Sequence, residues 1–536
     1  MKRENKYIIK GVFALMAASL AFGCTGDFEE FNTNPFAPTP DQMMGDNAGT
    51  AADLATMINA LGYQQQNDSQ LVDQFIGFEY GGTTTTADNF SYERGRYAWY
   101  NPPVSSGNHC GITFEKILPD TYTGFNKIRE NTGGKGAVYA MASIVRIAAT
   151  IKLSDTYGPV PYSKITGAEF TVPYDSEQDL YNYMFEDLTE AINTLQSVYS
   201  SSGEIASTLV EADMFFSGNV LKWLKYANTL QMRMAIRISN ADEALAREKF
   251  NEALERGYVM ETADDSVWRR MEAGQANPYS YSAYTWLNGD LRPSASVMSY
   301  LNGYGDPRRE KYITPQTSST FQWRGVLSGT NLSSSIYQGY YKNQYANLND
   351  ETIASVNSPI LVMSASEAWF LRAEAALNGW TSESAKECYE QGVTVSMNER
   401  GAAIGNYLSS EAQPENFTDV QSSHNRPAAT TVCPKWNDGA SKEENRERVL
   451  IQKWLANFPN GWETWADIRR TGYPKLFKVG VNECPSGEGV TDERGMRRMK
   501  YPQSEYNTNP QNVLDAVKLL GGDDLFGTDL WWAKKN

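Results

Sequence analysis

At 536 residues the chain can bury a large core, and its ordinary Gly and Pro content excludes a fibrous or disordered protein. A formal charge of -16 argues against nucleic-acid binding, which needs clustered Lys and Arg to neutralise phosphates. Aromatic residues make up 12% of the chain, with 31 Tyr and 13 Trp; they suit either helical core packing or a surface that stacks on flat ligands such as sugar rings.

The chain opens on "MKRENKYIIK", with Lys2, Arg3, Lys6 and Lys10, followed by the apolar run "GVFALMAASLAF". That run is too short to span a bilayer as a stable helix and reads as a signal peptide over 1–23. "AFGC" sets the small Gly23 directly before Cys24 and resembles a bacterial lipobox, although Ala21 stands where the pattern usually has Leu. It predicts acylation of Cys24 as the mature N-terminus; the plainer alternative is a secretory signal with an incidental Cys. The acidic "TGDFEE" that follows resembles the surface-export signals of Bacteroidetes lipoproteins. No later stretch reads as a transmembrane helix, so the lipid is expected to supply the anchor. Of the other cysteines, Cys110, Cys388, Cys433 and Cys484 are too widely spaced for a metal knuckle or a dense disulfide framework. Cys433 and Cys484 could pair in an oxidising compartment.

After an extended, turn-rich tether, "FNTNPFAPTP", helical patterns begin. Val138 to Ile151 is apolar or small almost all round, which predicts a buried helix that stops at Gly158. The next helix opens on Asp175 or Ser176 as N-cap, with Leu180, Met184, Leu188, Ile192 and Leu195 on one stripe. In "SGNVLKWLKYANTLQMRMAIRIS" the stripe is Val220, Leu224, Ala227, Leu230, Met234 and Ile238; Arg233 and Arg237 lie elsewhere on the wheel and are read as partners of solvent or structural carboxylates. From about 271 to 350, Tyr, Ser, Asn and Gly dominate and no helical period survives, predicting a loop-rich insert with short strands. "ASEAWFLRAEAALNGWTSESAKECYEQGVTVSM" then gives two amphipathic runs with small residues at the crossing and a turn between, similar to a tetratricopeptide hairpin. "KEENRERVLIQKWLANF" and "FPNGWETWADIRRTGYP" form a last helix pair.

That final stretch raises the question of chemistry, because Glu463 and Asp467 share a helix face. Asn460 and Gly461 suit the helix start, and Asp467 to Arg470 is an ion-pair spacing, so the carboxylates read as scaffold rather than as a catalytic acid and base. Other chemistries find little support. The two histidines, His109 and His424, make no metal motif; "TGGKG" is not a phosphate loop, and no G-x-S-x-G elbow appears. "GGDDLFGTD" offers Asp523, Asp524 and Asp529 to Ca²⁺ but lacks a full loop pattern, so they read as solvated acids, with no metal and no cofactor expected.

Together "FNTNPFAPT", "LSDTYGPVPYS", "KWLKYANTLQMRMAIRIS", "LRPSASVMSYLNGYGDPRREKY", "SEAWFLRAEAA", "FPNGWETWADIRRTGYP", "RRMKYPQSEY" and "GTDLWW" resemble the SusD/RagB family of nutrient-binding outer-membrane lipoproteins, in its SusD-like subgroup. The resemblance covers nearly the whole of 24–536 in family order. It implies a mostly α fold, with divergent tetratricopeptide-type hairpins as scaffold and a loop-rich, aromatic-rich lobe presenting the ligand. It also implies a lipid-anchored protein on the cell exterior that captures a glycan, or in some members a peptide, for a SusC-like TonB-dependent transporter. A secreted glycoside hydrolase and a purely structural adaptor are the alternatives. Sugar rings present apolar C–H faces that Trp and Tyr cover without charge. The candidates are therefore Trp99 and Tyr100 in "RYAWYNPP", Tyr284 and Trp286 in "AYTWLNGD", Trp323 in "QWRG", and Tyr340 and Tyr341, with Asn101 and Arg324 as polar partners.

Overall fold

Several helix starts follow side-chain caps. The computed structural model describes residues 48–87, 96–104, 109–201, 205, 207–317, 320–330, 332 and 344–534. Residues 50–536 form one unit; of the preceding unit, Met1–Gly49, only 48 and 49 are described. Helix α1 (Ile112–Thr132) ends on Gly133 in the left-handed region, and α2 (Gly136–Tyr157) ends at Gly158. Helix α3 (Glu177–Ser200) starts where Ser176 accepts from the Asp179 N–H at 3.1 Å, and it buries the predicted stripe from Leu180 to Leu195. Helix α4 (Val220–Arg237) starts where Asn219 accepts from the Lys222 N–H at 3.1 Å. Consecutive helices from α1 through α4 to α5 (Glu243–Arg256) pack on one another.

The hairpin of α7 (Ala365–Leu377) and α8 (Ala385–Glu399) joins this row through α4, and α9 (Lys442–Asn457) packs on both its helices. The expected mostly α, tetratricopeptide-type scaffold is present. Helix α2 is long and apolar enough to cross a membrane, contrary to the expectation that no later stretch is. Its surroundings argue otherwise: it lies mainly inside the core, and its Arg146, Lys152 and Asp155 are buried there.

The 271–350 region needs one correction. It does carry short strands: β3 (Leu291–Pro293), which pairs with β1 (Thr84–Thr86), and β4 (Ile313–Thr314), which pairs with β5 (Asn347–Leu348); flanking the region, β2 (Val267–Arg269) pairs with β6 (Ile360–Met363), and all three pairs are antiparallel. It also contains α6 (Ala295–Gly303), capped by Ser294. Residues 295–301 of α6 are all buried, so this helix has no polar face and leaves no amphipathic period to read. Two large apolar clusters result among the described residues. One fills α1 to α5; the other unites α6 and α9 with β3, β4 and β5, and α7, α8 and β6 contribute to both.

Helix α10 (Trp462–Thr471), which a further helix over Pro510–Leu520 follows, is seated by glycines. A Cβ on Gly77 would lie 2.5 Å from the Trp462 ring, and one on Gly461 would lie 2.4 Å from the Gly77 carbonyl oxygen. The ring cannot easily retreat: its Nε1 donates to Asp73 at 2.8 Å, and Lys152 lies 5.0 Å from its centroid. Gly77→Ala should therefore cost about 2–3 kcal/mol through overpacking. An unchanged thermal midpoint in that variant would contradict this close approach.

Candidate ligand-binding site

The acidic pair of α10 is enclosed by charge. Glu463 lies 2.5 Å from Arg237 and 2.8 Å from Lys453, and Asp467 lies 2.9 Å from Lys453 and 3.0 Å from Arg470. Arg233 forks onto Glu367 with bonds of 2.7 and 2.8 Å, and Arg470 reaches Glu374 at 2.6 Å. Burial raises the Glu463 carboxyl, but Arg237, Lys453 and Arg233 outweigh it and hold Glu463 well below the usual carboxylate range. Glu463 borders a cavity of only 60 Å³, and ligand pockets run from about 300 to 1,000 Å³. Arg233 and Arg237 serve structural carboxylates, as their position on the wheel suggested.

A surface with binding geometry lies elsewhere, where three segments converge. Gly303, at the end of α6, lets residues 413–415 pass in contact, since a Cβ there would lie 2.2 Å from the Gln413 carbonyl oxygen. The Glu415 N–H donates to the Ser299 carbonyl at 2.9 Å. Asn302 ties the segments together: its Nδ2 donates to the Trp323 carbonyl at 3.0 Å and to Glu415 Oε1 at 2.7 Å. The result is a depression of 360 Å³ bordered by Phe321, Trp323, Arg309, Asn302, Glu415 and Asn416. Arg309 lies 4.1 Å from the centroid of Trp323, and Arg324 lies 4.2 Å from that of Phe321. Each ring thus has one face backed by a guanidinium, and Phe321 remains 49% exposed. Stiffened aromatic faces beside amide and carboxylate groups can cover a sugar ring and orient its hydroxyls.

Of the predicted aromatics, Trp323 borders this depression. Trp99 is only 4% exposed and offers no open face. Tyr100 takes a left-handed conformation, φ 59°, and borders a separate cavity of 610 Å³ with Trp465 and Arg469. Tyr284 is partly exposed, and its hydroxyl donates to the Leu348 carbonyl; the Trp286 ring lies 6.1 Å from Tyr281. Neither borders the Trp323 depression. Tyr340, Tyr341 and the lipidation residue Cys24 lie outside the described residues. Of the predicted polar partners, Arg324 also borders the depression, largely buried against the Phe321 ring, whereas Asn101 forms a backbone bridge with Arg96. Sequence reasoning missed Phe321, although the pattern aromatic–Gln–aromatic in "FQW" puts it two residues from Trp323. It also missed Asn302 and Glu415, which only folding brings together.

Two further expectations change. Asp524 and Asp529 are not solvated acids: Asp524 pairs with Arg498 and accepts from the Tyr506 hydroxyl at 2.8 Å, while Asp529 holds Arg494 at 2.8 Å. Cys433 and Cys484 are free thiols in this structure, as are Cys110 and Cys388.

One buried carboxylate makes a testable pH dependence. Burial pushes Glu79 up to about 7, against hydrogen bonds from Ser328, Thr85 and the Thr86 N–H. The unfolded chain ionises this group near its ordinary value, about 4.3. The folded state therefore keeps an extra proton over roughly pH 4.5 to 7, and stability falls across that window as pH rises. Glu79→Gln should flatten this slope and raise stability at pH 8 by about 2–3 kcal/mol, read from urea midpoints. A variant with the parent's slope would contradict the assignment.

A family model for the SusD and RagB outer-membrane lipoproteins matches residues 30–533. Among solved structures, a SusD-like protein from Bacteroides thetaiotaomicron is 36% identical, with a TM-score of 0.82 over 91% of this chain and 99% of that one. A SusD homologue from Bacteroides uniformis is 33% identical, with a TM-score of 0.82 over 92% of this chain and 100% of that one. A chitin-binding SusD homologue from Flavobacterium johnsoniae is 30% identical, with a TM-score of 0.83 over 91% of this chain and 99% of that one. No curated protein matches. With a family model spanning nearly its whole length and relatives of this identity over their full extent, the chain belongs to the SusD and RagB family of outer-membrane lipoproteins.

Proposed function

We propose that the mature chain, beginning at an acylated Cys24, is a binding protein on the outside of the cell. It captures a glycan at the Trp323 depression and passes it intact to a SusC-like TonB-dependent transporter. The observation that carries this reading is the pair of guanidinium-backed rings, Trp323 and Phe321, beside the hydrogen-bonding Asn302 and Glu415. The chitin binding of the Flavobacterium johnsoniae relative supports a glycan as the class of ligand. Hydrolysis is disfavoured because glycosidases need two carboxylates across the scissile bond. The described lining of this depression contains Glu415 alone. The buried Glu463 and Asp467 are committed to their cations.

Screening the mature chain on an array of neutral and acidic oligosaccharides tests the ligand class; saturable binding to at least one glycan family is expected, and uniform absence of binding contradicts it. Cys24→Ser tests the anchor. Lipid labelling and surface retention should both be lost, and membrane attachment that persists unaltered rules the lipid out.

A further inference from the structure

Away from the Trp323 depression, a cavity of 540 Å³ opens between the start of α4, β2 and the end of α8. Its apolar walls include Phe215, Phe216, Trp268 and Leu361. Four cations border it: Lys222, Arg270, Lys311 and Arg400. Lys222 is neutralised by Asp264 at 2.8 Å. Among the described residues, the other three form no ion pair. Arg270 donates to the Asp213 carbonyl at 2.7 Å, and Arg400 to the carbonyls of Ala456 at 3.3 Å and Phe458 at 2.7 Å. Arg400 Nε is buried without a partner, and the guanidinium lies 5.0 Å from the Trp268 ring and 5.0 Å from the Tyr312 ring.

The cavity's remaining carboxylate, Glu399, offsets one of these three charges without pairing with any of them, and the lining stays net positive. Glu399 accepts from Ser266 Oγ at 2.6 Å, Ser364 Oγ at 2.8 Å and the Ser366 N–H at 3.1 Å, and bonds none of the three cations. Carbonyl dipoles leave a full positive charge standing on each arginine. In a chain of net charge -16, three such cations around one concave, aromatic-walled space are an unusual concentration. Arginine forks fit a planar carboxylate, the apolar walls fit the C–H face of a ring, and the volume falls within the range of about 300–1,000 Å³ for small-ligand sites.

We propose that this cavity is a second ligand site that takes the carboxylate of an acidic sugar unit, with Arg270, Lys311 and Arg400 holding the anion and Trp268 and Phe216 bordering the ring. It is independent of the Trp323 reading, because none of these residues borders that depression.

The test titrates digalacturonate, its methyl ester and neutral digalactose into the mature chain by calorimetry. The acid should bind saturably and at least about tenfold more tightly than the ester or the neutral sugar, with affinity falling as salt is raised. Arg400→Gln disturbs two backbone contacts and Arg270→Gln one, so Lys311→Gln carries the test; it should weaken binding of the acid by about fivefold or more with an unchanged thermal midpoint, and Arg270→Gln should weaken binding as much with a small loss of midpoint. Equal binding of acid and ester, no saturable binding of the acid, or affinity unchanged in both variants overturns the proposal. Tighter binding of a sulfated disaccharide than of digalacturonate overturns the carboxylate assignment.

Discussion

Replacing Glu463 with Gln should lower folding stability by about 3–5 kcal/mol, because it leaves buried cations without their counter-charge. Arg237 and Lys453 both lose a carboxylate partner, and Lys453 retains Asp467 at 2.9 Å and Glu367 at 3.9 Å. The same change should leave glycan affinity within about twofold of the parent, since Glu463 borders no open ligand surface. Acid sharpens the test. Arg237, Lys453 and Arg233 hold Glu463 well below the ordinary range despite its burial. Its contribution is therefore complete above roughly pH 5 and is lost as pH falls through that low folded value. Parent and variant should converge in strong acid. A variant as stable as the parent at pH 7 would remove the case for Glu463 as scaffold.

The second large effect concerns the ligand. Trp323→Ala should weaken glycan binding by about 2 kcal/mol or more, close to thirtyfold, because a central aromatic anchor is removed. Trp323 also packs partly against the second apolar cluster, so some stability will be lost with it. Phe321→Ala separates the two effects: its ring is half-exposed, and its removal should weaken binding about tenfold with little change in melting. Full affinity in both variants would place the glycan elsewhere.

Much of the scaffold was legible because its helices keep one apolar face. The stripe from Leu180 to Leu195 and the small residues of α7 and α8 announce helices that pack on neighbours. Helix α6 was illegible for the opposite reason: burial on every side erases the period. The site was harder still. Trp323 stood out by residue type, but Trp99 has the same chemistry and is buried, and only packing distinguishes them. Asn302, Trp323 and Glu415 lie far apart along the chain; the bonds that join them form only once Gly303 lets two backbones touch. Asp529 and Asp524 looked like solvent-facing acids because Arg494, Arg497 and Arg498 lie about thirty residues upstream, outside any local spacing rule.

The most direct test of ligand capture without cleavage is a calorimetric titration of the mature chain with chitin oligosaccharides, and with any glycan found on the array, followed by counting reducing ends in the same mixture. Saturable heat that is weakened in Phe321→Ala, with no new reducing ends after prolonged incubation, is the predicted result. Reducing ends that accumulate in proportion to protein concentration would contradict it and make the chain a hydrolase.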